Sequence, residues 1–136
     1  MKVKKIDHIG ITVQNYDEIK KIFEEVLGLE FLKEEVSEEW NCKMAFYQCG
    51  ESMLEISAPT GPGVDQDFID ATGGGIHHIA LEVDDIDEAL EACRENLVLR
   101  NEEPLPGADG TKVFFLEPSS IGNMETEFMQ YTDKDE

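Results

Sequence analysis

A chain of 136 residues, 40% hydrophobic and 31% charged, is long enough for one compact domain with a real core and lies in the ordinary globular range. Its 31 acidic against 11 basic side chains leave a formal charge of -20, which repels nucleic acid and anionic membrane surfaces over a Debye length of about 8 Å and argues against either partner. No apolar run approaches the roughly 20 residues of a membrane span, MKVKKIDHIG holds no signal-peptide core, and Cys42, Cys49 and Cys93 form no CxxC pair, so free thiols and a cytoplasmic location are expected.

In chain order, IDHIGITV alternates, with Ile9, Ile11 and Val13 on one face and His8, Gly10 and Thr12 on the other, the period of a half-buried strand. Tyr16, Ile19, Ile22, Phe23, Val26 and Leu27 follow at spacings of three and four, a helix started near Asn15 and Asp17 and stopped at Gly28. LEFLKEEV, CKMAFYQC and SMLEISAP read as strands, with Gly50 and Glu51 as a hairpin turn. SAPTGPGVDQDFIDATGGG is a connector with a short helical turn predicted at Asp65 to Ala71. A second strand then sets Ile79, Leu81 and Val83 against His78, Ala80 and Glu82, and a second amphipathic helix, about Asp85 to Asn96, turns Ile86, Ala89, Leu90 and Cys93 inward. VLRNEEP, TKVFFLEP and METEFMQY complete the strands, with loops at Pro104 to Gly110 and Ser119 to Asn123, and the tail TDKDE is expected to fray.

Residues 6 to 31 align without a gap on residues 76 to 101, so that Ile6, His8, Ile9, Val13, Asp17 and Glu18 recur as Ile76, His78, Ile79, Val83, Asp87 and Glu88. The expectation is one α+β domain over 1–136, made of two tandem βαβββ modules related by a pseudo-twofold and forming a curved mixed sheet with a metal-centred cleft. Module one spans about 5–58, the connector about 59–74 and module two about 75–131. In the last strand of each module a carboxylate interrupts apolar residues, Glu55 in MLEIS and Glu127 in TEFMQ. One histidine and one glutamate per module, His8 with Glu55 and His78 with Glu127, suit one divalent ion such as Co, Ni, Zn, Mn or Fe better than calcium or magnesium, which prefer all-oxygen shells. Such an ion acts as a Lewis acid on a bound carbonyl. His77 has Asp7 as its repeat partner and by alternation points away from His78, which marks it as structural or as a support behind a ligand.

These modules, with DHIGITV, GIHHIALEVDDIDEAL, MLEISAP and FLEPSSIGNMETEF, resemble the vicinal oxygen chelate superfamily (glyoxalase, bleomycin resistance, dioxygenase), and within it most closely the methylmalonyl-CoA epimerases, over Ile6 to Tyr131. The resemblance implies one divalent metal held by His8, Glu55, His78 and Glu127, and a homodimer. It also implies a reaction in which the metal chelates two oxygens of a methylmalonyl thioester while a base removes the C2 proton and returns it from the other side. Glu127 is the expected base, with Glu55 its counterpart. The family's GAHG and HPKS elements correspond to GADG, residues 107 to 110, and EPSS, residues 117 to 120, and Glu125 and Thr126 stand where the family prefers apolar residues. Acidic or neutral groups thus replace basic ones, leaving Lys43, Lys112 and Arg100 as candidate partners for substrate phosphates. Competing readings are a glyoxalase-I-like lyase or isomerase acting on a thiol adduct, a metal-free binding protein of the bleomycin-resistance type, and a ring-cleaving dioxygenase, which normally uses fewer protein ligands.

Overall fold

The computed structural model describes residues 1–107 and 110–132. The chain falls into two compact units, a first of His8–His77 and a second that combines Met1–Asp7 with His78–Glu136. The class is α+β, and the element order reproduces the two βαβββ modules.

In the first unit, β1 (Val3–Thr12, shared with the second unit) is followed by α1 (Tyr16–Lys21), β2 (Glu30–Ser37), β3 (Cys42–Cys49), β4 (Ser52–Pro59) and the connector helix α2 (Val64–Thr72). The strands lie in the order β2-β3-β4-β1, with β1 parallel to β4 and the other neighbours antiparallel. That arrangement needs one long crossover, which α1 begins, and then only tight turns. Gly50 makes the β3–β4 turn at φ 64, a conformation open to glycine at little cost. One face of this sheet packs Ala45, Tyr47, Ile56 and Ala58 against Tyr16, Ile19 and Phe23 of the helical segment. Tyr47 is fully buried and donates its hydroxyl to Glu24 Oε2 at 2.7 Å, and the Phe23 ring meets it edge-on at 5.3 Å.

Only part of the expected apolar stripe of the first helix faces this core. After Lys21 the chain widens into a π-helical turn over Ile22–Val26, where Leu27 N–H donates to the Ile22 carbonyl at 3.0 Å. The wider turn rotates the following side chains off the 3.6-residue stripe. Tyr16, Ile19 and Phe23 keep their inward places, whereas Ile22, Val26 and Leu27 are exposed. Gly28, at φ 67, ends the element as expected.

The second unit holds β5 (Gly75–Val83, its last six residues in this unit), α3 (Ile86–Asn96), β6 (Leu105–Pro106), β7 (Thr111–Phe115) and β8 (Thr126–Tyr131), in the order β5-β8-β7-β6 with β5 parallel to β8. The side chain of Asp85 caps α3 by accepting from the backbone N–H groups of Asp87 and Glu88, both at 3.1 Å. Ile86, Ala89, Leu90 and Cys93 are the buried residues of α3, the four expected, and they pack on Val83, Phe114, Leu116 and Phe128. The N-terminal residues belong to this unit through specific contacts. Lys4 pairs with Glu82 at 3.5 Å, Asp84 N–H donates to the Lys2 carbonyl, and the Tyr131 hydroxyl donates to the buried Asp7 at 2.8 Å.

VLRNEEP does not form the strand expected of it. A single bridge joins Leu99 to Leu116, and the ladder to β7 resumes only at Leu105–Pro106. Glu102 is drawn back to α3 by Arg94, whose guanidinium donates to its carboxylate at 2.6 Å and to its carbonyl at 3.0 Å, and Pro104 has no N–H to offer a ladder. The Pro104–Gly110 loop contains residues 108 and 109, and the expected frayed tail contains 133–136; all six lie outside the described residues. No helix among the described residues is long and apolar enough to cross a membrane.

Candidate functional site

Each sheet has a second face, opposite the one that packs on α1 or α3, and the histidines and glutamates singled out by the repeat lie on it. In the first unit the alternation that buries Ile11 and Val13 under α1 sends His8, Gly10 and Thr12 to the other side. Strand register places Glu55 between Gly10 of β1 and Phe46 of β3. His8 Nε2 lies 3.4 Å from Glu55 Oε1, and both residues are buried. Burial pushes the Glu55 carboxyl above the ordinary glutamate range; Asp65 and Glu35 push it further, and only His8 opposes them.

The second unit repeats the arrangement with its own residues. Glu127 stands between Ala80 of β5, the repeat partner of Gly10, and Phe115 of β7. His78 Nε2 is 3.9 Å from Glu127 Oε1. Around this pair, Ala80, Val113, Met129 and Phe115 give the face an apolar lining. Each carboxylate therefore sits between a small residue on one neighbouring strand and a phenylalanine on the other, and has an imidazole within 4 Å. His77 turns away, its ring edge-on to Phe68 of α2 at 4.8 Å.

A layer of polar groups in the first unit escaped the reading of single strands. Asp65, in the first turn of α2, accepts a short hydrogen bond from the Ser57 hydroxyl, and both are buried. This bond fastens the connector helix to the face that carries Glu55. Glu35 also belongs to that face. In β2, Lys33, Glu35 and Ser37 are the less exposed alternates, while Glu34 points the other way and receives the Tyr16 hydroxyl and the Lys20 ammonium. Pairing β2 with β3 in the sequence would have exposed this alternation.

The basic residues expected to meet substrate phosphates are placed elsewhere. Lys43 lies on the helix side of its sheet with its ammonium 4.6 Å from the Tyr16 ring centroid. Lys112 alternates with Val113 and shares the helix-side row of buried Phe114. Arg100 is held in a two-pronged pair by Glu125, at 2.6 and 2.9 Å. That pair accounts for the unexpected Glu125, and Thr126 beside it is fully buried with its hydroxyl donated to the Met124 carbonyl.

Residues 7–115 match the family model described as Glyoxalase/Bleomycin resistance protein/Dioxygenase superfamily. The chain belongs to this superfamily. Among its relatives is the uncharacterized protein YqjC of Bacillus subtilis, 34% identical over 130 residues that cover 94% of this chain and 93% of the relative. The lactoylglutathione lyase of Haemophilus influenzae is 33% identical over 134 residues, 85% of this chain and 97% of that one. A solved methylmalonyl-CoA epimerase in complex with methylmalonyl-CoA and NH4+ superposes with a TM-score of 0.87 at 27% identity, covering 96% of each chain. Superfamily relatives that are enzymes thus align across nearly the whole of this chain, and enzymatic function follows as the general expectation. An imidazole nitrogen beside a carboxylate oxygen, as each unit presents, is a donor pair suited to a borderline divalent ion.

Proposed function

We propose that the protein is a metal-dependent epimerase that removes and returns the C2 proton of a methylmalonyl-CoA-type thioester. The observation that carries this reading is the recurrence of a histidine–glutamate pair in each unit, at repeat-equivalent strand positions and between like neighbours. His8, Glu55, His78 and Glu127 would hold one divalent ion, which when bound supplies a Lewis acid for the substrate oxygens. Similarity to a methylmalonyl-CoA epimerase along the whole chain supports the substrate class.

Inversion at a planar carbon needs acid–base groups reaching both of its faces, and the reading assigns these to Glu127 and Glu55. Glu127 is the better base because it is the less buried of the two, on a strand face otherwise lined by apolar side chains. The apolar lining limits water around the carboxylate that takes the proton. A homodimer belongs to the same reading, and light scattering reads it directly.

Elemental analysis coupled to deuterium exchange at C2 of methylmalonyl-CoA tests the proposal. Stoichiometric metal with exchange is expected, and Glu127→Gln, brought to full occupancy with excess Co²⁺ to offset its weaker metal binding, should lose exchange by about 100-fold or more. Metal without exchange in the wild-type chain removes the epimerase and leaves the superfamily. The similarity to a lactoylglutathione lyase favours a second reading, a lyase or isomerase acting on a thiol adduct with the same four ligands. Turnover of a hemithioacetal but not of methylmalonyl-CoA would select it.

A further inference from the structure

Across the face of the first unit that carries Glu55, register sets Lys33 of β2 beside Phe46 of β3 and Phe46 beside Glu55 of β4. Two strand spacings therefore separate Lys33 from Glu55, roughly 10 Å between Cα atoms, a distance a lysine side chain can largely span. The chain folds Lys33 in that direction. Its ammonium stands 5.1 Å from the centroid of the intervening Phe46 ring and 3.0 Å from Glu35 Oε2. The field of Glu35 in turn reaches Glu55.

The other lysines of this unit serve different surfaces. Lys20 and Lys21 lie on α1, and Lys43 lies over Tyr16 on the helix side. The face that holds Glu35, Glu55 and Asp65 is thus strongly acidic, with Lys33 as its described ammonium. Among the described side chains of that face, Lys33 offers an anionic substrate group an ammonium to pair with, where Glu35 and Asp65 would repel it.

We propose that Lys33 is a specificity-determining residue that binds a carboxylate carried by the substrate's acyl group. The inference rests on the thioester reading above and adds to it the group that distinguishes a dicarboxylic acyl thioester from a monocarboxylic one. The Lys33–Glu35 pair is about one-third exposed on each side and is held only weakly. An ammonium with three rotatable donors can turn from Glu35 to an incoming carboxylate while its stem stays on Phe46.

The test is calorimetric binding of methylmalonyl-CoA and of propionyl-CoA, which has the same carrier and no carboxylate, to metal-free and Co²⁺-loaded protein. Lys33→Gln should weaken methylmalonyl-CoA about tenfold and leave propionyl-CoA within twofold of wild type, while Lys33→Arg stays within about threefold for both. Equal losses for the two thioesters, no loss for either, a Lys33→Arg defect as large as that of Lys33→Gln, or no binding to the wild-type chain overturns the proposal. Deuterium exchange on the same samples separates the two readings. Carboxylate-selective binding that depends on Lys33 without C2 exchange sinks the epimerase and keeps Lys33; exchange and binding indifferent to Lys33→Gln do the reverse.

Discussion

Replacing Glu55 by Gln keeps the shape of the side chain and removes a buried charge, and it should move the metal-free and metal-loaded proteins in opposite directions. In the metal-free protein the Glu55 carboxyl titrates above the ordinary glutamate range, because burial, then Asp65 and Glu35, outweigh His8. The folded state therefore holds this proton to higher pH than the unfolded state does. Stability falls as pH rises from the unfolded glutamate value, about 4.3, through the raised folded one. Glu55→Gln abolishes that slope. It should leave stability nearly unchanged at pH 4 and raise it at pH 8 by on the order of 1 kcal/mol, the scale of an uncompensated buried polar group. For a chain of 136 residues this is roughly 3–4 °C in Tm.

With metal the sign reverses. Loss of a ligand carboxylate should cost at least about 100-fold in metal affinity, the upper end of what an outer hydrogen-bond partner of a ligand costs. At a metal concentration 1,000 times the wild-type Kd, bound metal adds about 4.1 kcal/mol to the wild type and about 1.4 kcal/mol to the variant. Metal-induced stabilisation therefore shrinks by roughly 9 °C. Thermal melts at pH 4 and pH 8, with chelator and with Co²⁺, give all four values. A variant that is less stable than wild type without metal at pH 8, or that gains as much from Co²⁺, would refute the assignment of Glu55 as a buried ligand.

His78→Ala should lower bound metal after dialysis to well below one equivalent, whereas His77→Ala, which removes the ring contact with Phe68, should leave the metal stoichiometry intact by elemental analysis. Asp85→Ala removes the acceptor for two N–H groups at the start of α3 and should cost about 1 kcal/mol, read as a Tm lower by roughly 3–4 °C, with no change in metal content.

The second module's helix was the most legible element, because Asp85 is a strong cap and the stripe of Ile86, Ala89, Leu90 and Cys93 keeps a 3.6-residue period to its end. The first helix was legible only at its start, since nothing in IFEEVL announces a π turn and the stripe alone cannot show that Val26 and Leu27 rotate outward. VLRNEEP misled because its alternation is overruled by a distant side chain, Arg94, and by a proline. The repeat made the His8–Glu55 and His78–Glu127 pairs readable, since gapless alignment transfers position without any knowledge of packing. Lys33, Glu35 and Asp65 have no such marker. Their place beside Glu55 depends on strand register and on the helix that the connector forms, neither of which a single strand reveals.

The first seven residues belong to the unit that the last strand completes, and the Tyr131–Asp7 hydrogen bond joins positions 124 residues apart. On the ribosome this sets an order of assembly. The His8–His77 unit has all its own residues once His77 has emerged, while Met1–Asp7, made before it, waits for β8, made after it. Closing so long a loop is the slow kind of step in folding. Until it closes, Asp7 lacks the hydroxyl that serves it in the native state. A substitution at Tyr131 should therefore delay the finish of folding more than its beginning, and the His78–Glu127 pair would take its final form after the His8–Glu55 pair.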